Sequence, residues 1–206
     1  MSIRDRALST EQFIPTQTTK AAIAKPDDAA TAPRTTLRTS ALATLRILMG
    51  LTLLWAFLDK TFGLGYATST AQAWVGGGSP TKGFLGHIQV GPPQSLLRSW
   101  AGAWWVDSLF MVALLGIGLA LLLGVGMRLA ALASTALLGF MWIAEWPPAR
   151  TTTAGAATSS TNPLIDYHLV YIVVVVVLAV YAAGNTWGFG RRWADLSLVR
   201  RLRWLR

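Results

Sequence analysis

The chain has 206 residues, of which 53% are hydrophobic and only 13% are charged, whereas about a quarter of the residues of a soluble domain are charged. It contains no cysteine, which excludes disulfides, thiolate metal ligands and thiol redox chemistry for the chain by itself. The net charge of +9 comes from basic residues that flank hydrophobic stretches, where they set membrane topology and contact anionic lipid, so no nucleic-acid partner is predicted.

The first 39 residues are rich in Ala, Thr, Pro and charge. They contain no apolar run that could form the core of a signal peptide. A segment of this composition cannot bury enough apolar surface to fold, so residues 1–39 are predicted to form a disordered cytoplasmic tail.

Four apolar stretches follow, each near the roughly 20 residues that an α-helix needs to cross a bilayer. They lie at about 41–59, 105–125, 129–146 and 163–183. The valine run within the fourth would suggest a strand in water, but an isolated strand in a bilayer leaves its backbone groups unsatisfied. The predicted fold class is therefore an all-α membrane protein, with a four-transmembrane-helix bundle over residues 40–190.

The orientation follows from the 18 Lys and Arg residues. Fourteen lie on the side that holds both termini and the turn at Arg128, and four lie in the other two loops, 60–104 and 147–162. The positive-inside rule therefore predicts cytoplasmic termini and a location in the cell membrane. Residues 191–206 mix Arg with Trp and Leu at near-helical spacing, which predicts a basic amphipathic tail on the inner membrane face.

Several basic residues are expected to anchor the bundle at this inner face. They are Arg46, which we expect to extend from the first span to the interface, and Arg128, Arg191, Arg192, Arg200, Arg201 and Arg203.

Acidic residues outside the two tails are concentrated at the predicted outer ends of the spans. Asp59 ends the first span, Asp107 opens the second, Glu145 ends the third, and Asp166 opens the fourth with His168 beside it. Ionisable groups near hydrocarbon are costly unless they meet water or a partner, so together with Lys60 they suggest a shared polar pocket. The alternative is that these acids mark the water boundary and stabilise helix N-termini.

Ten tryptophans are many for this length, and six of them lie at the predicted outer ends of spans. They form either an interfacial aromatic belt or a ring that lines a site for a planar ligand. No metal site is predicted, because the two histidines lie in different segments and no spacing typical of zinc or haem proteins occurs.

Glycine and alanine in the second and third spans, including Gly116 and Gly118, predict close packing of these two helices.

The first span with Arg46, Gly50 and the exit Trp55-Ala56-Phe57-Leu58-Asp59-Lys60 resembles the DoxX/DoxD family. The fourth span shares the resemblance through Asn162-Pro163-Leu164-Ile165-Asp166-Tyr167-His168 and the later Gly184-Asn185-Thr186-Trp187-Gly188. The resemblance covers about residues 39–193. It implies a small four-helix membrane protein related to the membrane subunit of thiosulfate:quinone oxidoreductase, and a protein partner.

The leading hypothesis is therefore a redox-associated membrane subunit that binds a quinone head group among the outer helix ends. Asp59, Lys60, Glu145, Asp166 and His168 would supply hydrogen bonds or proton transfer. The apolar walls would come from Trp55, Trp142, Trp146 and Tyr171. A non-catalytic scaffold of a larger membrane complex is the alternative, and a small transporter or proton path is the third hypothesis; whether the chain is itself an enzyme stays open.

Overall fold

The computed structural model describes residues 28–205, with side chains from residue 36 onward apart from that of residue 203. Most of the predicted N-terminal tail, residues 1–27, and the side chain of Arg203 therefore lie outside the described residues.

Helices dominate the described chain, which contains no β-strand apart from an isolated bridge between Thr151 and Ala157. In chain order the eight α-helices are α1 (Asp28–Phe62), α2 (Lys82–Gly86), α3 (Gln94–Ser99), α4 (Trp104–Leu123), α5 (Met127–Glu145), α6 (Tyr167–Val180), α7 (Gly190–Asp195) and α8 (Ser197–Arg201).

Three of these helices, α1, α4 and α5, are long and apolar enough to cross a membrane. This confirms the prediction of an α-helical protein with membrane-spanning helices, and α4 and α5 begin and end within two residues of the predicted spans. The fourth predicted span corresponds to α6, which has 14 residues. It begins later than predicted because Asp166 caps it, accepting a hydrogen bond from the amide of Leu169.

Helix α1 begins at Asp28 and so includes residues 28–39, which the sequence assigned to the disordered tail. This segment contains three alanines, which favour a helix, but also four threonines and Pro33, which do not. The helix nevertheless extends for several turns before Arg46.

Helix α1 packs against α4 through glycines. A Cβ atom at Gly50 would lie 2.8 Å from the backbone nitrogen of Leu122, and one at Gly118 would lie 2.9 Å from that of Leu54. Gly118 thus faces α1, so its predicted packing against the third span is wrong. A Cβ atom at Gly116 would meet nothing within 4 Å.

An apolar core joins α1, α4, α5 and α6, and α5 packs against both α4 and α6. The fully buried residues of this core lie in α4 (Met111 and Leu121) and in α6 (Val175 and Leu178), with Met49 and Leu53 of α1 nearly buried beside them.

Arg46 does not extend to the interface as predicted, because its side chain is 0% exposed. Its Nη1 donates to the carbonyls of Leu121 and Leu122, the latter at 2.8 Å, at the end of α4. Its Nη2 donates to the carbonyls of Thr186 (3.3 Å) and Trp187 (3.0 Å), which follow α6. The last carbonyls of α4 lack partners within their own helix, so a buried guanidinium satisfies them and complements the helix dipole.

The C-terminal segment folds back on the same end of the bundle. Arg128, at the start of α5, donates to the carbonyl of Trp204, and Trp193 Nε1 donates to that of Leu205 at 3.0 Å. The acidic helix ends Asp59, Asp107, Glu145 and Asp166 lie at the opposite end of the same helices. After the predicted topology, we call this end the outer end, its loops the outer loops, and the end with the C-terminal segment the inner end.

Candidate functional site

Asp59 is buried and organises the loop after α1. Its carboxylate accepts hydrogen bonds from the amides of Tyr66 (3.3 Å) and Ala67 (3.0 Å). Because these amides lie in a turn outside the helix, the carboxylate satisfies backbone donors. The neighbouring Lys60 is half-buried, with its Nζ 6.0 Å from the centroid of the Phe110 ring.

Asp107 has a similar task at the start of α4. Its Oδ1 accepts from the Ser79 hydroxyl (2.9 Å), the Thr81 amide (3.0 Å) and the Thr81 hydroxyl (2.5 Å). This carboxylate therefore fastens the long outer loop to the bundle. Asp59 and Asp107 are therefore both bonded to the loop between α1 and α4, and both support the structure locally.

Three other predicted residues do come together, at the outer ends of α5 and α6. The ligand atoms of Glu145, Asp166 and His168 all lie within 4.8 Å of one another. His168 is fully buried, and its Nδ1 lies 2.7 Å from Asp166 Oδ2 and 4.0 Å from Glu145 Oε2. The second ring nitrogen, Nε2, is buried without a hydrogen-bond partner among the described residues.

Tyr167 completes this outer polar cluster, which we define as Glu145, Asp166, Tyr167 and His168. Its hydroxyl donates to Glu145 Oε1 at 3.2 Å, and its ring centroid lies 4.0 Å from that of His168. Asp166 also caps α6, so one carboxylate both starts the helix and orients the imidazole. An imidazole held through Nδ1 by a carboxylate presents Nε2 in a fixed tautomer, the arrangement used by general bases.

A cavity of about 490 Å³ opens beside the cluster. Glu145, Asp166 and Tyr167 line one side of it, while His168 does not reach it. The other sides come from both outer loops: from residues 83–90, including Phe84 and His87, and from residues 158–162. The two loops also meet directly, since the Thr153 amide donates to the carbonyl of Gln89 at 3.4 Å. We call this space the polar cavity.

The aromatic residues predicted as walls lie elsewhere. None of Trp55, Trp142, Trp146 and Tyr171 lines the polar cavity. Trp55 pairs edge-on with Tyr66 at 5.2 Å, and Trp142 Nε1 donates to the carbonyl of Leu164 at 3.0 Å. Trp146 ends α5 with a positive φ of 46°, and the ring of Tyr171 packs edge-on against Tyr167 at 5.9 Å.

No family model, curated protein or solved structure matches this chain.

The cluster has groups that could hold a metal ion, although the sequence predicted none. Two carboxylates and one imidazole are a donor set that divalent metals accept. The 2.7 Å distance between His168 Nδ1 and Asp166 Oδ2 is, however, that of a charge-assisted hydrogen bond, which occupies the nitrogen that faces the carboxylates. The observed arrangement is that of a hydrogen-bonded dyad, and the absence of a metal stays a prediction.

Sequence reasoning missed three parts of this site: Tyr167, His87 and Phe84. Tyr167 stands between two residues that were singled out, so its place in the motif was the available signal. His87 and Phe84 reach the site because the first outer loop folds over the bundle, which no local pattern indicates.

Proposed function

We propose that this chain is a DoxX-like membrane subunit associated with redox chemistry, and that it binds a quinone head group at the outer polar cluster. The observation that carries the proposal is a buried histidine, His168, oriented by Asp166 and placed beside Glu145 and Tyr167 at the edge of a cavity. Buried polar groups with an unsatisfied atom are rare and concentrate where a protein has chemistry to perform.

The residues that line the polar cavity fit a quinone. Tyr167 can turn its hydroxyl from Glu145 to a carbonyl oxygen, and the Glu145 carboxylate can accept a hydrogen bond from a hydroxyl of the reduced quinone. Phe84, Ile88 and Pro147 supply apolar surface for a flat ring. A bound quinone would supply electron-carrying capacity that the chain's own side chains lack.

The chain's own groups would handle protons. Glu145 lies between the cavity and His168, with its carboxylate within 4.0 Å of the imidazole. Asp166 keeps the imidazole oriented through its Nδ1 atom. Protons would thus pass among Glu145, Asp166 and His168, and the electrons would come from a redox-active partner subunit.

The proposal includes the full topology. Helix α6 is the fourth span, both termini are cytoplasmic, and the protein lies in the cell membrane. Arg128, the α4–α5 turn and the C-terminal segment all lie at one end of the bundle. Basic residues are therefore concentrated at the end opposite the acidic helix ends, which supports this topology.

The test is quinone binding by the full-length chain purified in mild detergent. We expect extractable quinone and saturable quenching of tryptophan fluorescence on adding a quinone. Glu145→Gln removes the charged acceptor beside the cavity and should weaken binding of the reduced quinone by about tenfold or more, the value of one charge-assisted hydrogen bond. Asp195→Asn is the matched control, since Asp195 is exposed at the other end of the molecule.

Failure to find quinone in the extract, together with quenching that never saturates, would count against the proposal. If the Glu145→Gln and Asp195→Asn variants bound quinone with equal affinity, any quinone site would lie outside the cluster.

A scaffold role is the second candidate, favoured by the use of Asp59, Asp107 and Arg46 for holding loops and helix ends. If the alanine variants of Asp166 and His168 keep cellular function while deletion of residues 191–206 abolishes it, the chain is a scaffold.

A further inference from the structure

A second cavity, of about 530 Å³, lies between α4 and α5 near their outer ends. Its walls include Leu109 and Phe110 of α4 and Leu137 and Phe140 of α5, and α2 and Trp100 close it from the loop side. Thr81 is the lining residue with a hydroxyl, and that hydroxyl is bonded to Asp107. This apolar cavity therefore offers a ligand almost nothing but hydrocarbon and aromatic surface.

The apolar and polar cavities are neighbours. The side chain of Phe84 on α2 lines both of them. Helix α5 also contributes to both: Phe140 and Met141 line the apolar cavity, and Ala144 and Glu145, one turn further along, line the polar one. A molecule with a polar head and an apolar chain would meet matching surfaces along a single path past Phe84.

An apolar cavity of this size does not hold water favourably, and an empty one forfeits the dispersion contacts of its walls. Both cavities lie within the range of about 300–1,000 Å³ that is typical of small-molecule sites. Since α4 and α5 are apolar enough to cross a membrane, we expect lipid hydrocarbon chains around this region.

We propose that a single amphipathic ligand occupies both cavities, with a hydrogen-bonding head group at Glu145 and Tyr167 and an apolar chain between α4 and α5. The inference rests on the proposed function, and it assigns the ligand to the isoprenoid quinones, whose chain the apolar cavity accepts. A phospholipid shares this chemistry of polar head and apolar chain and is the other source to be distinguished.

Ala136 provides a way to fill the apolar cavity. It lines the cavity from α5, and its side chain is exposed within the span, so Ala136→Phe adds volume there without disturbing the core. Leu132, one turn earlier on α5, is 62% exposed and lines neither cavity, which makes Leu132→Phe the matched control.

The experiment compares two probes, a quinone with a two-unit isoprenoid chain and the same head group without a chain, on both variants and the native chain in detergent. We expect Ala136→Phe to weaken binding of the chain-bearing quinone at least fivefold and to leave the chainless one within twofold. Leu132→Phe should change neither. The comparison between variants cancels partitioning of the longer probe into the micelle.

Photolabelling provides a readout that does not depend on affinity. A quinone carrying a diazirine on its second isoprene unit should label peptides that contain Leu109–Ala113 or Ala133–Met141. Excess phospholipid that abolishes this labelling while chainless quinone still binds would assign the apolar cavity to lipid and overturn the inference.

Equal effects of Ala136→Phe and Leu132→Phe on the chain-bearing probe, or labelling spread over the exposed apolar residues Leu119, Leu132 and Val173, would also overturn it. Loss of binding for both probes on the native chain would instead defeat the proposed function.

Discussion

Arg46 shows how a charge can be buried in a membrane helix without a carboxylate partner. Its guanidinium is fully buried, and four backbone carbonyls from the end of α4 and the segment after α6 accept from it. The planar fork of five donors suits such a group of acceptors, whereas the ammonium of lysine does not. Arg46 therefore ties three parts of the bundle together at the inner end.

We expect Arg46→Ala to lower the free energy of unfolding by several kcal/mol, because each buried carbonyl left without a donor costs about 1–3 kcal/mol. Arg46→Lys should be intermediate. Thermal unfolding in detergent measures the effect, with Arg38→Ala as the control because Arg38 is exposed on the same helix. Equal melting temperatures for Arg46→Ala and Arg38→Ala would show that the buried contacts do not stabilise the fold.

The acidic residues separate into those that hold loops and those that form the cluster, and substitution should distinguish them. Asp59→Asn weakens the bonds to the amides of Tyr66 and Ala67, so we expect faster proteolysis of residues 63–73 and unchanged quinone affinity. Glu145→Gln should show the reverse pattern. Limited proteolysis and quinone titration on both variants test this difference. A loss of quinone affinity in Asp59→Asn would mean that Asp59 belongs to the quinone site.

The sequence predicted the positions of the acidic residues correctly where the antiparallel order of the helices alone determines them. Antiparallel spans bring the end of one helix beside the start of the next, so Glu145 and Asp166 had to be near each other. The tasks of Asp59 and Asp107 depend on which loop amides fold back onto them, and hydropathy carries no information about that. Arg46 was misplaced because the helix that contains it starts well before the apolar stretch.

At the scale of helices, α1 and α4 form the closest pair. Glycines at positions 50 and 118 let the two backbones approach, which is how membrane helices gain packing energy when lipid is as apolar as their side chains. Small residues predicted this kind of contact, but not which partner Gly118 faces, since the rotation of α4 is set by all its neighbours.

Gly118→Ala and Gly116→Ala make a matched pair on one helix. The first places a methyl group 2.9 Å from the backbone of Leu54 and should destabilise the protein by about 1–3 kcal/mol, the usual cost of overpacking. The second meets open space and should be neutral or slightly stabilising, because alanine favours helix over glycine. Unfolding curves in detergent compare them, and equal stabilities would contradict the close contact of α1 with α4.

Helix α6 is the shortest of the proposed spans. Its 14 residues rise about 21 Å, less than the roughly 30 Å of a hydrocarbon core. The apolar residues Leu164 and Ile165 before it and the short 3₁₀ turn Ala183–Asn185 after it extend its length. The polar groups of the outer cluster would then lie just inside the rim, where Glu145 and Asp166 can still meet water.

On the scale of the whole molecule, the two ends of the bundle have opposite characters. Arg128, Arg192 and Arg200 lie with the C-terminal segment at one end, and the outer polar cluster with both cavities lies at the other. In the proposed topology, this division would combine an anchor on anionic lipid with a ligand site that faces the outside. All three functional hypotheses assume this orientation in the membrane, and the proposed quinone site depends on it most.

Cysteine labelling tests this arrangement most directly, because the native chain has no cysteine and each introduced one is unique. We would place one at Ala71 or Ala154 in the outer loops and one at Ser197 in α8, all exposed, and treat intact cells with a membrane-impermeant maleimide. We expect labelling of Ala71→Cys and Ala154→Cys, and labelling of Ser197→Cys only after lysis. Labelling of Ala154→Cys and Ser197→Cys from the same side would mean that α6 does not cross the membrane, and the account would be contradicted.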